Sequence, residues 1–127
     1  MLEMINQDRL ASPIDIHQPV TLLRWDEKLA QIARAHCEDM LQRSFFNHVN
    51  PDGLSPVERL SNAGIPWSSL GENIARNHDN LSETEAAFMR SSHRHNILNP
   101  AFTHVGVGIV RLTNGALYVT QVFAQEP

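Results

Sequence analysis

A mixed α+β domain is what the sequence predicts, and three observations carry that prediction. Apolar residues recur three and four apart in the first half, and Pro and Gly cut the middle into short segments. The last quarter holds two β-rich runs divided by Asn-Gly. Helices early and midway with strands late place an antiparallel sheet under a cover of helices. At 127 residues the chain is long enough for one core and not two, so residues 1–127 are read as a single domain.

Leu2, Ile5 and Leu10 lie apolar among polar neighbours, which suits a short helix over 1–10 ending at Ser12 and Pro13. Residues 12–24, with Pro13 and Pro19, read as a connecting loop holding one extended piece at 20–23. Asp26 offers an N-cap carboxylate to the longest helix, whose stripe runs through Leu29, Ile32, Ala33, His36 or Cys37, Met40 and Leu41 to about Arg43. Pro51, Asp52 and Gly53 form a turn, and Ser55 with Pro56 opens a third helix that reaches Asn62 and stops at Gly64. Beyond the loop of Pro66, Trp67 and Ser68, residues 70–75 (LGENIA) form an extended stretch, and 77–80 form a polar loop. Ser82 and Glu85 have the spacing of a capping box, opening a helix that runs out near Ser91. A further helical turn over 93–98 is closed by Asn99 and Pro100. Strands over 105–112 and 116–124 follow, joined at Thr113, Asn114 and Gly115, because Asn-Gly satisfies the positive φ values of a tight hairpin turn.

Composition narrows the function classes. The net charge is −4 and the ten basic residues are scattered, which argues against a nucleic-acid partner. Cys37 is the only cysteine, so no internal disulfide forms, and on its helix it reads as a small buried residue. There is no apolar run of membrane-spanning length and no basic-then-apolar leader. The protein is therefore either cytoplasmic or exported with its leader already removed.

Three segments pair an ionisable residue with turn chemistry: His48 in HVNPDG, Glu72 in GEN and His93 in SSHRHNIL. Two imidazoles and a carboxylate suit zinc with an open fourth position, and equally suit general acid and base work near neutral pH. Against this, a His beside a turn is commonly a surface residue or a local cap, and Glu72 between Gly71 and Asn73 has a plain role accepting backbone N–H bonds. His17 and His78 fall in polar loops, His36 is half-buried on the long helix, and His104 precedes a strand. His95 points away from His93 on a helix and shares no ion with it. Ser91 and Ser92 lack a nucleophile-elbow context, which makes a serine hydrolase a weak reading. Asn96 and Gln121, set among apolar residues, read as buried hydrogen-bonders. Trp25 reads as packing against the start of the long helix.

Taken together, LRWDEKLAQIARAHCEDM, FFNHVNPDG, GENIA, SSHRHNILNPAFTHVGVGI and YVTQVFA resemble, in order and spacing, the motifs of the cysteine-rich secretory, antigen 5 and pathogenesis-related (CAP) superfamily, especially its small bacterial SCP-like members. The likeness covers nearly the whole chain. It implies an α-β-α sandwich with a central antiparallel sheet of three to four strands flanked by helices. It also implies a cleft of two histidines and two acidic residues, in which His48, Glu72 and His93 match three positions, with Asn73 a neighbour. Relatives usually carry a Trp, then an acid or serine, before the second histidine. Here Phe88 replaces that Trp and the link to His93 is one residue shorter, leaving Ser91 and Glu85 as candidates for the fourth place.

Three functions follow from the resemblance. The first is a binding module for a lipid, a sterol-like molecule or a cell-envelope component. The second is a metal-dependent hydrolase or protease-like enzyme using zinc or another divalent cation at His48, Glu72 and His93. The third is an interaction domain in which these residues brace loops. The family is mostly exported, so the resemblance favours an extracytoplasmic home, with a leader or second domain outside this sequence.

Overall fold

The computed structural model describes residues 1–12 and 20–127. Pro13, His17, Pro19 and most of the first expected loop lie outside the described residues. The elements run α1 (Leu2–Ala11), β1 (Arg24–Trp25), α2 (Glu27–Gln42), α3 (Pro56–Asn62), β2 (Ser69–His78), α4 (Leu81–Met89), α5 (Arg94–Leu98), β3 (His104–Arg111) and β4 (Leu117–Gln125). One four-stranded sheet has the order β1-β3-β4-β2, so β2 lies at an edge. β2, β4 and β3 pair antiparallel, as expected, whereas the two-residue β1 pairs parallel to β3. The short strand falls at Arg24–Trp25 and not at 20–23 because the Asn6 side chain of α1 takes both Leu23 groups, accepting from its N–H at 2.8 Å and donating to its carbonyl at 3.2 Å.

The helices cover both faces of the sheet, completing the α-β-α sandwich. On one face Leu117, Val119 and Phe123 of β4 pack with Ile5, Phe88 and Phe102. On the other, Val122 and Ala124 of β4 pack with Leu29, Ala33 and Leu60. This alternation is the period of two expected of a strand buried on both sides. Asp26 caps α2 as expected, accepting from the Lys28 and Leu29 N–H groups. At Gly106 and Gly108 the strand meets the α2 backbone so closely that a Cβ would overlap the main chain at Leu29 and Ala30, or at Ala33 and Arg34. Arg9, fully buried, donates to the Ile97 and Asn99 carbonyls at 2.9 and 2.8 Å, tying α1 to the carbonyl end of α5.

Three local expectations need correction. α4 is capped by Asn80, which accepts from the Glu83 N–H, so it starts ahead of Ser82; Glu85 faces the core and does not complete a capping box. β2 continues through His78, past the loop expected at 77–80, and Asn77 takes φ 71° at an irregularity between Arg76 and His78. In the β3–β4 hairpin only Gly115 has positive φ, 89°. The Gly115 N–H donates to the Leu112 carbonyl and the Leu112 N–H to the Ala116 carbonyl, a three-residue loop in place of the tighter Asn-Gly turn.

Candidate functional site

Glu72 stands on β2 and rises on the face covered by α2 and α3, with its side chain only 1% exposed. Three segments converge on it. The helix α2 brings His36, which occupies a place on the apolar stripe and is buried. α3 brings Arg59, fixed by the Ser55–Glu58 capping box with Pro56 in the first turn. The intervening loop brings His48; Asn50 braces that loop by accepting from the Asp52 and Leu54 N–H groups.

The resulting contacts leave no ionised group uncompensated. Arg59 donates from one terminal nitrogen to Glu72 Oε1 at 3.0 Å and to the His48 carbonyl at 2.8 Å, while its other terminal nitrogen lies 2.8 Å from Oε2. His48 Nδ1–H donates to Glu72 Oε1 at 2.8 Å. Burial works against ionisation of Glu72, but the hydrogen bonds from His48 and Arg59 outweigh it and hold the carboxyl below its usual range. Burial pushes the His36 imidazole down, despite Glu72 4.0 Å away, so the ring is neutral at pH 7. Its Nε2–H donates to the Asn47 carbonyl at 2.8 Å, which anchors the loop carrying His48.

His93 comes from the opposite face, at the junction of α4 and α5. Ser91 Oγ donates to the Phe88 carbonyl at 3.0 Å, so it receives the His93 Nδ1–H, 2.8 Å away. The His93 ring lies 5.4 Å from the Phe88 ring, centroid to centroid. Burial, and then the nearby His48, push the His93 pKa down. Because β2 is an edge strand, side chains from both faces approach each other around its free side, which is how His48 and His93 come close without sharing an element.

Of the residues singled out from sequence, His48 and Glu72 are joined directly, and His93 stands across the strand edge with no bond to Glu72. Asn73 donates to the His93 carbonyl at 3.2 Å and to Gln121 Oε1 at 3.0 Å. Asn96 donates to the Glu72 carbonyl at 3.2 Å and to Asn73 Oδ1 at 2.8 Å. Gln121, fully buried, and Asn96, half-buried, are the hydrogen-bonders expected of them. Ser91 orients His93, whereas Glu85 lies in the core bonded to Gln121 at 2.9 Å. His104 is remote, 2.9 Å from Glu126, and the exposed Trp25 donates to Glu27 at 2.9 Å. Arg59 and His36 were missed. His36 had a signal: an imidazole on an apolar stripe needs a buried partner. Arg59 had none, since its partners are 11 and 13 residues away.

Gly71 is required where Asn96 clamps β2, because a Cβ there would collide with the Asn96 side-chain carbonyl. Gly71→Ala is expected to cost about 1–2 kcal/mol in urea unfolding, as overpacking does. The Asn96 side-chain amide signals should also shift by NMR; an unshifted spectrum would remove the clamp from the account.

A zinc ligand set can be tested against these contacts. Both Glu72 oxygens face Arg59 or His48, so the carboxylate is not free to bind a cation. Among the described residues no group of three or more His, Cys, Asp or Glu is placed to hold a metal. In both rings Nδ1 is the bonded nitrogen, to Glu72 in His48 and to Ser91 in His93, so Nε2 is the atom each ring could offer. The donor set therefore does not fit Glu72 as a third ligand beside the two imidazoles.

The sequence and fold have known relatives. The uncharacterized protein YkwD of Bacillus subtilis is 41% identical over 100 residues, covering 78% of this chain and 38% of its own length. The chain thus spans well under half of that relative. An extracellular protein of Bacillus anthracis containing an SCP domain superimposes with TM-score 0.80 at 29% identity, over 98% of this chain and 40% of that one. An outer surface protein of Borrelia burgdorferi superimposes with TM-score 0.85 at 16% identity, over 99% of this chain and 90% of that one, a likeness of fold alone. The model of the cysteine-rich secretory protein family, CAP, matches residues 2–123, and the chain belongs to that family.

Proposed function

We propose that this CAP domain is a binding or interaction module of an exported bacterial protein, taking a lipid or a cell-envelope component in the cleft between His48 and His93. The observation that carries this reading is the neutralised state of Glu72. Its carboxylate is committed to Arg59 and His48, so it is in no position to act as a general base. Nor is a nucleophile activated: Ser91 gives its proton to the Phe88 carbonyl, and burial pushes the Cys37 thiol up to about 11. What remains is a groove of ≈ 300 Å³ walled by Phe46 and Phe88 and lined by Ser91 and His93, with His48 near enough to act on the His93 imidazole. An apolar hollow with a few convergent polar atoms suits ligand capture. The extracytoplasmic home is supported by the extracellular Bacillus anthracis relative.

A second reading, a metal-dependent hydrolase, is favoured only by the two free Nε2 atoms. A divalent cation there would supply Lewis acidity toward a ligand carbonyl or phosphoryl oxygen. The test is a pair of titrations on the parent and on the H48A/H93A double variant, zinc by calorimetry and cis-parinaric acid by fluorescence. Fatty-acid uptake that survives in the variant supports the binding module. Stoichiometric zinc binding lost in the variant, without fatty-acid uptake, favours the metal reading, and silence from both probes sinks the cleft as a small-ligand site.

A further inference from the structure

The free side of β2 carries no partner strand among the described residues; on it Arg76 is exposed and Ile74 is 7% exposed. The Gln125 carbonyl accepts from Ser68 and so points at β2. Counting along the register from Ser69↔Gln125, the main-chain groups of Gly71, Asn73 and Ala75 also point at β4. Those of Leu70, Glu72, Ile74 and Arg76 then point outward, because an antiparallel strand alternates its hydrogen-bonding sides. The Asn96 amide donates to the Glu72 carbonyl, which agrees with that parity and occupies the edge at this one position. Beyond it, Ile74 and Arg76 have no hydrogen-bond partner on that side among the described residues.

The ≈ 300 Å³ groove lies along this open stretch. Its walls are Phe46 on the α2 side and Phe88 on the α4 side, placed to receive alternate side chains of an incoming strand. Its charged and titratable lining is Arg76, His78 and His93, with no carboxylate, on a chain whose net charge is −4. Arg76 is held across the Phe46 ring, 4.5 Å from its centroid, and stays exposed. From the unpartnered edge, the paired walls and the fixed positive charge of Arg76, we infer that the cleft binds an extended acidic peptide, which adds as a fifth strand along Ile74 and Arg76. The inference rests on the cleft being a binding site, and it names the ligand class for that site.

The test uses the 15N-labelled domain and a capped pentapeptide alternating valine with glutamate. It also uses two N-methylated forms, one for each alternate set of amides, and a form with lysine for glutamate. The expected result is that the parent peptide shifts the Ile74 and Arg76 amide signals and that one N-methylated form binds at least about tenfold more weakly. The lysine form should bind more weakly too, and Arg76→Glu should reverse that order. Equal binding by the parent and both N-methylated forms, equal binding by the lysine form, or no shift from the parent overturns strand addition. If the peptides are silent while zinc or cis-parinaric acid still perturbs the His48 and His93 ring signals, strand addition falls and the binding cleft stands. If every probe leaves those rings untouched, both fall.

Discussion

Replacing Arg59 by Met is expected to lower stability by about 3–5 kcal/mol at pH 7, the range for removing one partner of a buried ion pair. The Arg59 and Glu72 side chains are 10% and 1% exposed, so neither charge has water to fall back on. Without the guanidinium, Glu72 keeps only the His48 Nδ1–H, and the His48 carbonyl loses its donor. The pH dependence follows from the direction of the Glu72 shift. Its carboxyl is held low in the folded protein, so its contribution is present above the unfolded value of about 4.3 and is lost as pH falls through the folded value. In the variant, burial dominates and the carboxyl rises, so protonation relieves the unpaired charge. The deficit against the parent should therefore narrow between pH 7 and pH 5 in urea unfolding. A double-mutant cycle with Glu72→Gln checks the pairing itself. A coupling of at least about 2 kcal/mol is expected, and additive losses would remove the ion pair from the account.

Local rules made the helices legible. Asp26 before a three-and-four apolar stripe and Ser55 with Pro56 each placed a helix start within a residue, because a cap and its stripe are short-range signals. β1 was misplaced because Asn6, 17 residues away, takes the Leu23 backbone, and no local pattern encodes that contact. The same distinction divides the cleft. Resemblance of motifs marked His48, Glu72 and His93, since each sits in a recognisable stretch of sequence. What the carboxylate does was invisible, because Arg59 approaches from another helix and converts a candidate base or metal ligand into a paired anion. Ser82 and Glu85 show the reverse failure: the spacing satisfied a capping rule, but Asn80 took the cap and Glu85 went into the core.

That burial gives Glu85 the largest pH effect expected outside the cleft. Its Oε1 accepts from Gln121 at 2.9 Å, Gln121 accepts from Asn73, and Asn73 donates to the His93 carbonyl, so a buried amide chain links α4 to the cleft loop. Its Oε2 has no donor among the described residues and lies beside the Asp8 carboxyl. Burial, with Asp8 alongside, pushes the carboxyl up to about 8 although the Gln121 bond opposes the shift. A raised carboxyl contributes stability that is complete below the unfolded value of about 4.3 and is lost as pH climbs through the folded value. Glu85→Gln keeps the shape and the acceptor while staying neutral at every pH. At pH 5 it should exceed the parent by only about 1 kcal/mol, because Glu85 is then protonated in the folded protein and already mostly ionised in the unfolded chain. At pH 9 it should exceed the parent by about 2–3 kcal/mol, the order expected for sparing a buried, like-charge-flanked carboxylate its ionisation. Urea unfolding at pH 5, 7 and 9 reads the divergence directly. Parallel profiles would mean that Glu85 ionises freely in the folded protein. In that case the amide chain to His93 begins at an ordinary carboxylate, and raising the pH from 7 to 9 should leave the His93 amide signal unchanged.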